Sequence, residues 1–456
     1  MKTGPKETNP PEFPQGMHRG ERLRYTATEP AEGIRARWNW AEPTVWTERM
    51  LTALEEGVKG GRWHCLWDKV LKPENARAAY TKVSANRGSA GVDRVTVKKF
   101  GADLENNLAR LLREMREGKY VPRPVRRVEI PKPGSREKRP LGIPTVRDRV
   151  VQGALKHVLE PIYERDFAEH SYGFRPGRGS KDALREVQRL LREDHIWVVD
   201  ADIRGYFDAI PHKRLMERLR SKVADGSVLG LVESFLKQGV LEGLKEWTPE
   251  RGTPQGAVLS PLLANVYLDP MDHRLAENGY AAVRYADDFV VLCRSRAEAE
   301  AALASIQAWM EEAGLTLHPE KTRIVDATQA GGFDFLGYHF ERGLRWPRKK
   351  SLKKLRDAVR ARTRRCNGQG MDALIVDLNP ILRGWFEYFK HSHPPTFRRV
   401  DQWVRMRLRS ILRKRRGGHG RGRGTDHWRW PNAYFAEHGL FSLTDARAMA
   451  SQSARR

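Results

Sequence analysis

The sequence predicts an α+β fold. Apolar residues recur at helical spacing over most of the first 195 positions and again beyond 345, and the region between holds short apolar runs of strand length. A Pro- and Gly-punctuated extended segment interrupts the first helical region. With 456 residues, 39% of them hydrophobic, the chain is long enough for two or three domains with their own cores.

Residues 1–45 are rich in Pro, Glu, Arg and Gly, and they predict a flexible leader because so few aliphatic side chains cannot offset chain entropy. From Thr44 to Glu117, Trp46, Met50, Leu51 and Leu54, then Phe100, Leu104, Leu108 and Leu111, fall on helix faces either side of a Gly88–Asp93 turn. Residues 120–145, with Val128-Glu129-Ile130, a Pro133-Gly134 turn and Lys138-Arg139, predict a basic β-hairpin. Helices follow at Val146–Glu164 and Lys181–Glu193. Ile196–Val199 reads as a buried strand, and Ala281–Tyr285 and Phe289–Arg294 as a strand pair joined at Asp287-Asp288. The stretch Arg413–Gly424 reads as a flexible basic linker.

Lys and Arg number 83 against 57 Asp and Glu, a formal net charge of +26 that calls for a polyanionic partner. Most of the excess lies from Glu341 to Arg456, where 29 basic residues face 9 acidic ones. No apolar run has the length of a spanning helix and Met1–Glu29 lacks a signal-like apolar segment, so nucleic acid rather than a membrane is the expected partner, and a cytoplasmic setting the expected location. Cys65, Cys293 and Cys366 are far apart with no CxxC pair, which excludes a disulfide framework and a cysteine-based zinc site.

Two segments carry candidate chemistry. Arg284–Leu292 sets Asp287 and Asp288 at the tip of an apolar hairpin, a poor place for charge without a cation, though Asp-Asp is also ordinary turn chemistry. Val198–Asp208 is a buried-looking strand that ends in acids. Period-2 geometry puts Asp200 and Asp202 on one face, so spacing leaves open which of them is a ligand.

The YADD tetrapeptide at 285–288 resembles the signature of reverse transcriptases, and DIRGYFD at 202–208 resembles their first catalytic motif. Further blocks resemble group II intron reverse transcriptases, in the same order from about Gly91 to Phe340: Ile130–Pro133 through Lys138–Pro144, His170–Pro176, Gly252–Gly256 through Ser260–Asn265, Lys321-Thr322, and Phe335–Tyr338. The resemblance implies a right-hand polymerase: N-terminal extension and helical/β-hairpin fingers at 46–195, an antiparallel-sheet palm at 196–345, an α-helical thumb or maturase domain at 346–415, and a basic nucleic-acid-binding tail at 416–456.

It also implies that Asp202, Asp287 and Asp288 hold two Mg²⁺ ions, with Ile203 beside them and Mn²⁺ as a substitute, while Asp200 and Asp208 cap or orient neighbours. Two metals about 4 Å apart activate the primer 3′-hydroxyl and stabilise the leaving pyrophosphate, and hard cations require such carboxylates. Lys132, Arg139, Ile203, Phe207, Gln255 and Lys321 form the implied deoxynucleotide site. The Arg139 guanidinium suits a triphosphate, Gln255 can hydrogen-bond it, and Phe207 would lie under the sugar. Phe335, Leu336, Gly337 and Tyr338 resemble a primer grip.

After the palm, Leu382, Trp385, Phe386 and Phe389 form a helical stripe read as bundle core, and Arg405, Arg407, Arg409, Arg413 and Lys414 are the candidate RNA contacts. This segment resembles the maturase domain, and Trp428–Phe435 with Gly439–Leu443 resembles the end of bacterial group IIC proteins that lack an endonuclease domain. The implied function is RNA-directed DNA synthesis together with binding of structured intron RNA. Its partners would be an RNA template with a DNA or RNA primer and a target DNA, the last bringing the protein to the nucleoid. The alternatives are a domesticated relative in DNA repair, phage defence or CRISPR adaptation, and an RNA-binding splicing factor without polymerase activity. Oligomeric state is left open.

Overall fold

Helical periodicity in the first third becomes a packed helical layer in the computed structural model, which describes residues 33–131, 138–366 and 368–453. The helix Val146–Glu164, capped by Thr145 accepting from the Asp148 amide, is buried on nearly every side. The helix Pro73–Ala85 crosses it closely because Gly153 carries no side chain: a Cβ there would lie 3.0 Å from Ala79 Cβ. Helices Glu48–Glu56 and Leu104–Arg116 add Leu51, Leu54, Leu108, Leu111 and Leu112 to the same core.

The leader expected over 1–45 is corrected at its C-terminal end. Residues 34–37 are helical, Trp38, Ala41 and Val45 are buried, and Trp46 Nε1 donates to His157 O at 2.9 Å. Trp38, Ala41 and Val45 supply buried apolar area that the composition of the whole segment concealed. Positions 1–32 lie outside the described residues.

The hairpin expected at 120–145 forms from β1 (Val125–Pro131) and β2 (Lys138–Ile143), antiparallel in the register Arg126↔Ile143 to Pro131↔Lys138. The palm strand β3 (Trp197–Asp202) follows. A second hairpin, β4 (Val240–Glu242) and β5 (Lys245–Trp247), docks β4 parallel to β1 and widens the first sheet to the order β2-β1-β4-β5.

The central sheet is antiparallel, with order β6-β7-β3-β8: β6 (Ala281–Tyr285), β7 (Asp288–Cys293) and β8 (Arg323–Asp326) join β3. Alternation divides its side chains between two cores. Val199, Ala201, Phe289 and Val291 face the main core with helices Ser260–Glu277 and Arg296–Ala313. Val198, Val290 and Leu292 face helix Ser180–Arg192 and a small sheet of β9 (Phe333–Phe335), β10 (Tyr338–Glu341) and β11 (Leu344–Pro347). By the same alternation Asp200, Asp202 and Asp288 belong to this second face, at its open end.

Helices Lys349–Arg362, Met371–Phe389 and Pro395–Arg415 form a bundle around Leu378, Leu382, Phe386, Phe397 and Val404, so the aromatic stripe is core. The tail expected from 416 is part of the same core. Phe435 and Leu443 are fully buried, and the Asp401 carboxylate accepts from the Leu443 and Thr444 amides at 3.1 and 3.0 Å. The linker expected at 413–424 instead folds back, with Gly422 N donating to Ser410 Oγ at 3.1 Å and Arg413 Nε to His419 O at 2.8 Å. No helix among the described residues is long and apolar enough to cross a membrane.

Candidate active site

Tyr285 and Asp288 are the last ladder pair of β6 and β7, so Ala286 and Asp287 alone reverse the chain and Ala286 takes φ +63°. An alanine in that region is strained unless its surroundings hold it. Arg284, 1% exposed, does so: Nη1 donates to Ala286 O at 2.9 Å and to Asn265 Oδ1 at 3.0 Å, Nη2 to Ser171 Oγ at 2.7 Å, and Nε to Asp272 Oδ1 at 2.8 Å. Residues 170–173 run alongside, with Tyr172 N donating to Arg284 O at 2.8 Å and Arg284 N to His170 O at 2.9 Å. Gly173 abuts the turn so closely that a Cβ would lie 2.2 Å from Ala286 N.

This brace of Arg284, Asp272, Asn265, Ser171 and Gly173 was not assigned from sequence. One signal was available: an arginine inside an apolar strand needs a buried counter-charge.

The register places the two acids of β3 in different surroundings. Asp202 stands opposite Asp288, whereas Asp200 stands opposite Val290 on one side and Arg323 on the other, with Arg323 Nε 3.3 Å from Asp200 Oδ2. Burial, then the carboxylates of Asp200, Asp287 and Asp202, pushes Asp288 up to about 7. Burial also raises Asp287 and Asp200.

Among the described residues no group of three or more His, Cys, Asp or Glu side chains is disposed to hold a metal ion as it stands. Asp202 is instead paired with Lys321 Nζ at 2.5 Å, so an ammonium takes the place of a cation beside it. Buried carboxylates that oppose one another's ionisation, one already neutralised by a stand-in cation, are a donor set that fits a hard divalent ion. Ile203 is 3% exposed and its side chain sits in the main core, so only its main-chain carbonyl has an oxygen to offer a metal or nucleotide.

The implied nucleotide residues are partly brought together. Arg139 Nε donates to Gln255 Oε1 at 2.8 Å, joining the β2 strand to the 252–256 loop. Gly142 N donates to Gln255 O at 2.7 Å, and Gly256, at φ +102°, lets the loop approach until a Cβ would lie 2.6 Å from Gly142 O. Thr253 N donates to Phe207 O at 2.7 Å, which ties the loop to the segment after β3. Phe207 is 7% exposed and packs edge-on against Phe174 and Tyr206. A cavity of about 310 Å³ lies behind the loop, lined by Arg127, Asp208, Trp247 and Thr253 among others. Lys132 lies outside the described residues.

In two groups of expected contacts the structure gives several side chains partners within the fold. Phe335 and Tyr338 are each 1% exposed and their rings pack into the second core, which leaves the turn between them as the part of this segment open to a primer. Their turn is tied to the thumb, with Tyr338 Oη donating to Tyr388 O at 2.6 Å and Ser351 Oγ to Gly337 O at 3.0 Å. Of the RNA candidates, Arg409 is 3% exposed and donates to Trp430 O at 2.8 Å, Arg407 is bonded to Thr363, and Arg413 pairs with Asp426 at 2.7 Å. These arginines brace the fold. Arg405 is half-buried, and Lys414 is exposed with its Nζ 3.5 Å from Cys366 Sγ.

Comparison with known proteins follows the same division of the chain. Residues 130–340 match the family model for reverse transcriptase (RNA-dependent DNA polymerase), and residues 352–430 that for the group II intron, maturase-specific domain. The chain is 38% identical over 209 residues to the group II intron-encoded protein LtrA of Lactococcus lactis subsp. cremoris, covering 45% of this chain and 34% of that protein, so it spans about a third of that relative's length. It is 34% identical over 305 residues to protein YkfC of Escherichia coli (strain K12), covering 58% of this chain and 79% of that one. Nuclear intron maturase 2, mitochondrial, of Arabidopsis thaliana is 27% identical over 231 residues, 42% of this chain and 31% of that protein.

Proposed function

Because the chain belongs to the group II intron reverse transcriptase and maturase family, we propose that it copies an RNA template into DNA from a DNA or RNA primer, and that it also grips structured intron RNA to assist splicing and intron mobility. The observation that carries the polymerase reading is the carboxylate group at the open end of the central sheet: Asp202 opposite Asp288, with Asp287 in a braced two-residue turn.

Asp202, Asp287 and Asp288, with the Ile203 carbonyl, would hold two Mg²⁺ ions, or Mn²⁺ in their place, which supply activation of the primer hydroxyl and neutralisation of the leaving pyrophosphate. Lys321, paired here with Asp202, would be released by a cation bound to that carboxylate and would then be available to the triphosphate. The Arg139 fork, positioned by Gln255, and Lys132 hold phosphate oxygens, and Gln255 keeps its amide N–H₂ free for the nucleotide. Phe207, backed by Phe174 and Tyr206, is a rigid floor for the sugar that disfavours a 2′-hydroxyl. Joining the 252–256 loop to both the β2 strand and Phe207 means that closure over the nucleotide moves these parts together. The bundle from Lys349 to Arg415, linked to the 335–338 turn, serves as thumb and as the RNA-binding surface, and target DNA is the substrate for mobility.

The test is Mg²⁺-dependent primer extension on an RNA template with deoxynucleotides and then ribonucleotides, comparing wild type with Asp287→Ala/Asp288→Ala. DNA synthesis that the double substitution abolishes is the expected result. No synthesis by wild type on any primed template would overturn the polymerase reading and leave RNA binding alone.

A further inference from the structure

Trp428 is 88% exposed, the most exposed tryptophan among the large hydrophobic residues on the described surface. Scattered apolar residues on a surface need no explanation, but this one stands in an unusual setting. Between Arg413 and Arg429 the chain carries seven Lys or Arg residues and one acid, Asp426.

That acid is buried and already used, since Asp426 Oδ2 accepts from Arg413 Nη1 at 2.7 Å and from Arg423 N at 3.0 Å. The loop is held from below by buried groups. Arg409 donates to Trp430 O, Ser410 accepts from Gly422 N, and Gly422 lies so close to Arg409 that a Cβ would sit 2.6 Å from its Cβ. Residues Arg421, Arg423, His427, Trp428 and Arg429 are all exposed, and the guanidinium groups of Arg421 and Arg423 form no hydrogen bond or ion pair among the described residues. Arg429 lies over the Trp430 ring at 5.8 Å.

A braced loop that presents one bare indole and two unpaired guanidiniums within eight residues has the chemistry of a base-stacking platform: the ring offers a π-face and the arginines offer charge to the flanking phosphates. We propose that the 419–429 loop recognises an unpaired base of folded RNA, with Trp428 stacking on the base and Arg421 and Arg423 holding the adjacent phosphates. This rests on the reading that the chain grips structured RNA, and it assigns that grip to residues other than Arg407, Arg409 and Arg413, which the fold consumes.

The experiment measures binding of the full chain to a labelled RNA hairpin with an unpaired loop, to a fully paired RNA of equal length, and to single-stranded DNA of the loop sequence. Trp428→Ala should weaken binding to the looped RNA by about 5- to 100-fold and leave the paired RNA unchanged, while Trp428→Phe keeps most of the affinity. Arg421→Ala/Arg423→Ala should lower the salt dependence of looped-RNA binding by about one to two in log–log slope. Equal affinity of Trp428→Ala and wild type for looped RNA, or equal losses on looped and paired RNA, would overturn the proposal. An equal Trp428 dependence on single-stranded DNA would overturn its assignment to RNA. Primer extension on a short pre-annealed template separates the two readings: it should be unchanged in Trp428→Ala, and its absence in wild type would sink the polymerase reading without touching this one.

Discussion

Asp202 and Asp288 face each other as the last pair of the β3–β7 ladder, on the face of the sheet that also carries Asp200. Burial and the carboxylates of Asp200, Asp287 and Asp202 oppose the ionisation of Asp288, an opposition that the proposed metal ions would relieve. Asp288→Asn should therefore raise the thermal midpoint of the metal-free protein while lowering primer extension by at least about 100-fold. A substitution that lowers both would show that Asp288 serves the fold rather than the chemistry.

Gly173 abuts the Ala286-Asp287 turn. Gly173→Ala drives a Cβ into backbone atoms, Ala286 N at 2.2 Å and Tyr285 C at 2.8 Å, where no flexible side chain can yield. Displacement of the turn should cost about 1–3 kcal/mol in denaturant unfolding and lower kcat more than nucleotide KM. Wild-type stability and kcat in this variant would show that the turn is not positioned by this contact.

Arg284 and Asp272 are each 1% exposed, and their carboxylate–guanidinium contact is 2.5 Å. Removing one partner leaves a buried charge without its counter-ion, so Asp272→Asn should destabilise by about 3–5 kcal/mol. The Arg284→Met/Asp272→Leu double variant should recover part of that loss in chemical denaturation but not the polymerase activity, because Ala286 O and Ser171 Oγ lose their donor as well. Full recovery of activity would remove the brace from the mechanism.

His157 sets a pH limit on stability. Its Nδ1 lies 2.8 Å from Asn75 Oδ1 within the helical layer, and burial, followed by Lys82 and Lys156, lowers its pKa to about 3 from an ordinary 6.5. Between those values the unfolded chain binds a proton that the folded chain does not, so stability is full above about 6.5 and falls as pH drops toward 3. Replacing His157 with Gln should flatten this part of the stability–pH curve measured by thermal melts. An unchanged slope would assign the acid sensitivity to other groups.

The sequence by itself determined the elements and their order. Thr145 and Glu164 bound a helix that the apolar period predicted to the residue, and β3, β6 and β7 appear where short apolar runs adjoin the acids. Such features rest on interactions within a few residues, which periodicity records. The order of motifs likewise carried the family.

Tertiary structure alone decided which residues share a site. Asp200 and Asp202 are equivalent by spacing, and only the neighbouring strands distinguish them: Asp200 lies opposite Arg323 and Val290, while Asp202 lies opposite Asp288 and pairs with the distant Lys321. The arginines of the last long helix looked alike in sequence, yet buried carbonyls and Asp426 consume Arg409 and Arg413 and leave Arg421, Arg423 and Trp428 exposed. The physical reason is the same in both cases: a charged side chain is committed by whatever the fold places opposite it, and that neighbour lies tens or hundreds of residues away along the chain.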